Sequence, residues 1–105
     1  MIHTYVRHTF IRDLERISDR LLQYDPRLPD RFATAVERTM QQIVRQPGIG
    51  HHRADVPVSK QGLRFWRVQS FGNWLIAYAW DEKLETVDFQ RVLWGQRLLP
   101  RALRD

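Results

Sequence analysis

Residues 62–95 read GLRFWRVQSFGNWLIAYAWDEKLETVDFQRVLWG, and this stretch decides the fold. It divides into three runs: Leu63 to Ser70, Trp74 to Trp80, and Thr86 to Trp94. All three are rich in aromatic and β-branched residues, the side chains that suit a pleated, half-buried surface. The breaks, Phe71-Gly72-Asn73 and Asp81-Glu82-Lys83, are of hairpin length. Connections this short join only antiparallel neighbours, so the stretch predicts a three-stranded meander. In the middle run, alternation puts Trp74, Ile76, Tyr78 and Trp80 on one face and Leu75, Ala77 and Ala79 on the other. Both faces are apolar, which predicts a central strand covered on both sides, the second by the C-terminal tail or a partner segment.

The segment upstream supplies the first cover. Ile2, Thr4 and Val6 alternate with polar neighbours and predict a short N-terminal strand that pairs with the meander. From Thr9 to Tyr24 the period becomes helical: Phe10, Leu14, Ile17 and Leu21 share a stripe, Asp13 is assigned with the other charged residues to the polar face, and Thr9 is the expected cap. The prolines of Asp25-Pro26-Arg27-Leu28-Pro29-Asp30 end this helix, and Asp30 is expected to cap a second one running to about Gln46, with Phe32, Val36, Met40 and Ile43 inward. Two amphipathic helices on a short loop form an antiparallel hairpin. Pro47-Gly48-Ile49-Gly50 closes the second helix, with Gly48 expected in the left-handed conformation. Residues 54–61 read as a connection or edge strand. Residues 96–105 read as a short basic tail or helix.

The expected architecture is therefore α+β: an N-terminal strand, then a helical hairpin packed on the meander, then the tail. A chain of 105 residues suffices for one domain spanning 1–105. It contains no cysteine, which removes disulfides, thiolate catalysis and Cys-based zinc sites. His3 and His8, and the adjacent His51 and His52, lack the spacing of a metal site, so neither metal nor cofactor is expected. No run approaches the ~20 apolar residues of a membrane span, and a cytoplasmic protein is expected. The net charge is +5, and only Lys60 and Lys83 of the 17 basic residues are lysine. Arginine's planar fork suits carboxylates and phosphates. The charges are spread along the chain without a basic arm, which argues against sequence-specific DNA binding.

Four stretches, in this order, resemble the RelE/ParE toxin superfamily, most closely its ParE branch. They are Asp30-Arg31-Phe32 through Ala35-Val36-Glu37; Gln46-Pro47-Gly48-Ile49-Gly50; Gly62-Leu63-Arg64 with Trp66 and Val68; and Arg91-Val92-Leu93-Trp94-Gly95 with Arg97 and Leu99-Pro100. The resemblance implies the toxin of a type II toxin–antitoxin pair, restrained by a cognate antitoxin. ParE-type members poison DNA gyrase; RelE-type members share the fold and cut mRNA on the ribosome, which is the alternative here. Cleavage of RNA needs an acid and a base around the scissile phosphate. Leu75 stands where many such nucleases carry Arg, Trp94 where related chains often carry His, and no Tyr or His follows Tyr78. An indole cannot exchange a proton near neutral pH. No catalytic residue is therefore assigned, and gyrase is the expected target. Arg64, Arg67, Arg91, Trp94, Arg97 and Arg101 are the expected target contacts, since Trp and Arg dominate interface hot spots. Leu14, Ile17, Leu21, Trp74 and Trp80 are the expected antitoxin contacts.

Overall fold

The computed structural model describes residues 1–95; the expected tail, with Arg97 and Arg101, lies outside them. Strand β1 (His3–Val6) leads into helix α1 (His8–Leu22) and helix α2 (Leu28–Arg45), followed by strands β2 (Arg64–Val68), β3 (Phe71–Asp81) and β4 (Thr86–Trp94). The four strands form one sheet in the order β1-β4-β3-β2. Strands β2, β3 and β4 are antiparallel, and β1 pairs parallel with β4 from His3↔Thr86 to Val6↔Phe89. This parallel pair needs a long crossover, which the helical hairpin and the meander together provide.

The alternation of β3 sorts two apolar clusters. Ile76 and Tyr78 join Phe10, Ile17, Phe32, Val36, Ile43, Val68, Val87 and Phe89 beneath the helices, with Trp74 and Trp80 packed at the margin. Ala77, flanked by Leu75 and Ala79, joins Phe65 and Leu93 on the opposite face. That second face is covered by the chain's own connection, through Val56 and Leu63. Residues 54–61 therefore form no edge strand: a short 3-10 turn (Val58–Lys60) lies there.

Several local expectations are corrected. The first hairpin turns at Gln69-Ser70, with Val68 paired to Phe71 and Ser70 left-handed at φ 66°. Phe71 stays in the sheet because its ring packs edge-on against Phe32 at 5.1 Å. Helix α2 starts ahead of Asp30, since Pro29 occupies the first turn, where its missing N–H costs nothing. Asp30 therefore lies in that first turn, beside the positive end of the helix dipole. Thr9 lies inside α1 and its hydroxyl donates to the Gln90 carbonyl at 2.7 Å. No glycine among the described residues has positive φ; Pro47–Ile49 closes α2 as a 3-10 turn instead.

Candidate functional site

A β-bulge at Gln90 sets up the site. Tyr78 pairs with Phe89 and Ala77 with Arg91, so Gln90 is the extra residue. Before the bulge Val87 and Phe89 face the helices; after it Val92 does, and Leu93 faces away. Strand β1 has already ended, which leaves the outer edge of β4 open from Gln90 onward. Side chains of α1 complete it. The Thr9 hydroxyl takes the Gln90 carbonyl, and Asp13 Oδ2 accepts the Val92 N–H at 2.9 Å. The same carboxylate holds Arg91, with Nε donating to Oδ2 at 2.7 Å and Nη2 to Oδ1 at 3.0 Å.

Asp13 is 5% exposed, a buried charge satisfied by a guanidinium and a backbone donor together. Its position corrects the helical-wheel assignment above. Asp13 lies three residues after Phe10 and four before Ile17, on the apolar stripe itself. A charged residue in that register was the signal for a buried partner. Thr39 of α2 follows the same logic. It is fully buried, donates to the Ala35 carbonyl at 2.7 Å, and accepts the Gln69 N–H at 2.9 Å where β2 ends.

Beyond the Asp13–Arg91 pair, α1 and the ends of β3 and β4 enclose a cleft of about 200 Å³. Trp74 and Trp94 form its apolar wall, with Ile17, Val92 and Leu93; Arg16 and Arg20 bring positive charge, while Asp13 matches that of Arg91. Trp94 is 44% exposed, and its ring meets Trp74 edge-on at 5.1 Å and 80°. Trp74 in turn meets Phe32 at 5.8 Å, so the exposed indole stands on an aromatic column rooted in the core. Arg16 and Arg20, one helical turn apart on α1, escaped the sequence reading; their i, i+4 spacing beside the buried Ile17 was the available signal.

The other expected contacts lie in different surroundings. Arg64 is turned onto the Pro47–Gly50 turn, donating to the Gly50 carbonyl at 2.9 Å and the Gly48 carbonyl at 3.3 Å. Arg67 is exposed on β2, beside a broader hollow of about 590 Å³ that also includes His51, Arg53 and Trp66. Ile17 is buried, while Leu14, Leu21, Trp74 and Trp80 are partly buried against the helix-side core. His51 bridges Phe65 through its backbone and sets its ring 5.9 Å from that of Trp66, while the His52 ring anchors the loop through Nδ1 and the Leu63 carbonyl. Among the described residues no three His, Asp or Glu side chains converge as a metal site. No helix there is long and apolar enough to cross a membrane.

The fold, an α-helical hairpin against a four-stranded sheet with this exposed Trp–Arg end, defines a small α+β domain. The family model described as "ParE toxin of type II toxin-antitoxin system, parDE" matches residues 5–99. The chain belongs to this family of toxins, and membership implies an antitoxin partner. A comparison with curated proteins gives no match.

Proposed function

We propose that the chain acts as a single toxin unit that arrests growth by binding DNA gyrase through its Trp94 end, and that a cognate antitoxin holds it inactive. The observation that carries this reading is Trp94 itself. It is a half-exposed indole fixed on Trp74 and bordered by Arg16, Arg20 and Arg91. A rigid aromatic flanked by arginines is the composition of an interface hot spot, and the positive border suits an acidic or DNA-loaded surface. Arg97 and Arg101 are assigned to the same target contact, Arg67 to a second one beside the hollow on β2, and Arg64 supports the first from behind by fixing the turn. The partly buried Leu14, Leu21, Trp74 and Trp80 are assigned to the antitoxin, with Ile17 setting the packing of α1 beneath them.

The test adds the purified chain to gyrase, plasmid and ATP. Loss of supercoiling with accumulation of cleaved, gyrase-bound DNA is expected. Unimpaired supercoiling, together with cut mRNA in a parallel ribosome assay, would replace this reading with the endoribonuclease one.

A further inference from the structure

The sheet has several stretches of potentially open edge, and on β2 and β4 loop backbone or helix side chains meet several of the outward groups. On β2, Phe65 is paired with the His51 backbone in both directions, and Thr39 takes the N–H of Gln69. On β4, beyond the reach of β1, Thr9 and Asp13 take the Gln90 carbonyl and the Val92 N–H. Strand β1 is the exception. The N–H of His3 donates to the Glu85 carbonyl and that of Arg7 to the Phe89 carbonyl, so the odd-numbered residues face β4. The backbone groups of Thr4 and Val6 therefore point outward, and none of them has a hydrogen-bond partner among the described residues.

Natural sheets protect such an edge with Pro, Lys, a bulge or an inward charge. Ile2-His3-Thr4-Tyr5-Val6 has none of these. All four residues of β1 are exposed, Tyr5 at 58% and Val6 at 44%. The charges at either end are already matched: Arg7 bonds Asp88 at 2.8 Å, and the N-terminal amine lies 3.7 Å from Glu85.

We propose that β1 pairs antiparallel with β1 of a second copy, about a twofold axis through Thr4. The sequence itself is self-complementary in this register. Thr4 meets the partner's Thr4, Ile2 meets the partner's Val6, and His3 meets the partner's Tyr5. Each position thus faces its chemical like: hydroxyl with hydroxyl, aliphatic with aliphatic, ring with ring, with no charge opposed. The outward backbone groups of Ile2, Thr4 and Val6 fall in the hydrogen-bonded pairs that this symmetry requires. The two sheets become one continuous sheet with both helical hairpins on the same side. Five paired residues from each copy cover less than the roughly 800 Å² per partner of a standard interface, so the dimer is weak and builds up only at high concentration. This inference does not depend on which target the toxin has.

The absence of cysteine makes a register-specific test possible. Thr4→Cys places one thiol on the twofold axis, facing its own copy at a Cα separation of ~5.5 Å, within the range of a disulfide. His3→Cys faces a tyrosine. Under mild oxidation at high protein concentration, Thr4→Cys is expected to form a covalent dimer at least about tenfold faster than His3→Cys. Sedimentation of the unmodified chain between about 1 µM and about 1 mM should show monomer passing to dimer. Thr4→Pro should abolish that passage with little change in melting temperature, because the N–H it removes points outward; Thr4→Lys, which opposes like charges on the axis, should do the same. A monomer throughout the range, equal crosslinking of the two cysteine variants, or a dimer indifferent to both Thr4→Pro and Thr4→Lys would overturn the proposal.

Discussion

Tyr78 and Trp74 lie four residues apart on the same face of the same strand, and they have opposite fates. Tyr78 is fully buried, and its hydroxyl is used twice: it donates to the Pro47 carbonyl at 2.7 Å and accepts the Gly50 N–H at 2.8 Å. Arg64 binds the same turn from the other side. The Tyr78 hydroxyl, the Gly50 N–H and carbonyl, and the Pro47 and Gly48 carbonyls are all hydrogen-bonded within the molecule. Trp74 is only partly buried, and its ring supports Trp94, whose surface remains 44% open. One end of β3 is closed by side-chain hydrogen bonds; the other presents aromatic surface and arginines. The difference teaches where to look for function: aromatic residues on one strand are alike in sequence, and only their partners separate a structural tie from a contact surface.

The largest stability effect is expected beneath the open end. Asp13→Ala leaves Arg91 without its carboxylate and the Val92 N–H without its acceptor, at a cost of about 3–5 kcal/mol, the range for breaking a buried pair. Asp13→Asn keeps an acceptor for Val92 and should cost less. Urea unfolding of the two variants gives both numbers. At the closed end, Gly50→Ala would bring a Cβ to 2.7 Å from the Tyr78 hydroxyl and 2.9 Å from its ring, in a corner where neither can retreat freely. A loss of about 1–3 kcal/mol is expected, with the turn displaced. Tyr78→Phe removes the hydroxyl but leaves the Gly50 N–H and Pro47 carbonyl unpaired, again about 1–3 kcal/mol.

Alkaline pH probes the same tie without mutation. Burial pushes the Tyr78 phenol above its ordinary value of 10.0, against smaller opposing effects of the Gly50 hydrogen bond and the Arg64 charge. The folded state therefore holds this proton more tightly than the unfolded state. The stabilisation is complete below the ordinary value and is lost as pH rises through the folded one. Absorbance titration should show one of the three tyrosines ionising late and together with unfolding, and Tyr78→Phe should remove that step.

Much of the fold could be read from the sequence, and the unread part has a common cause. The runs around Trp74–Trp80 and Thr86–Trp94 and the stripes of Phe10–Leu21 and Phe32–Ile43 reported strands and helices because periodicity follows burial directly. The bulge at Gln90 left no such trace, since it shifts side-chain direction without changing residue type. Arg64 and Arg91 look equivalent to Arg67 in sequence, and only long-range geometry ties them to Gly50 and Asp13. Asp13 and Thr39 were legible in principle as polar residues in apolar register. Their roles were not, because the strand ends that they complete lie 79 and 30 residues further along the chain.

The smallest stability effect carries the central claim. Trp94→Ala should cost about 1 kcal/mol or less, because the ring it removes is half exposed and makes one edge-on aromatic contact. The decisive measurement is gyrase-mediated DNA cleavage in the presence of the wild-type chain and of Trp94→Ala, with both melting curves recorded. The account predicts trapped cleavage with the wild type and its loss, by about thirtyfold or more in potency, with a Trp94→Ala variant that still folds, the roughly 2 kcal/mol scale of a hot spot. Equal trapping by the two chains would contradict the role given to the Trp94 end, and no trapping by either would contradict the target.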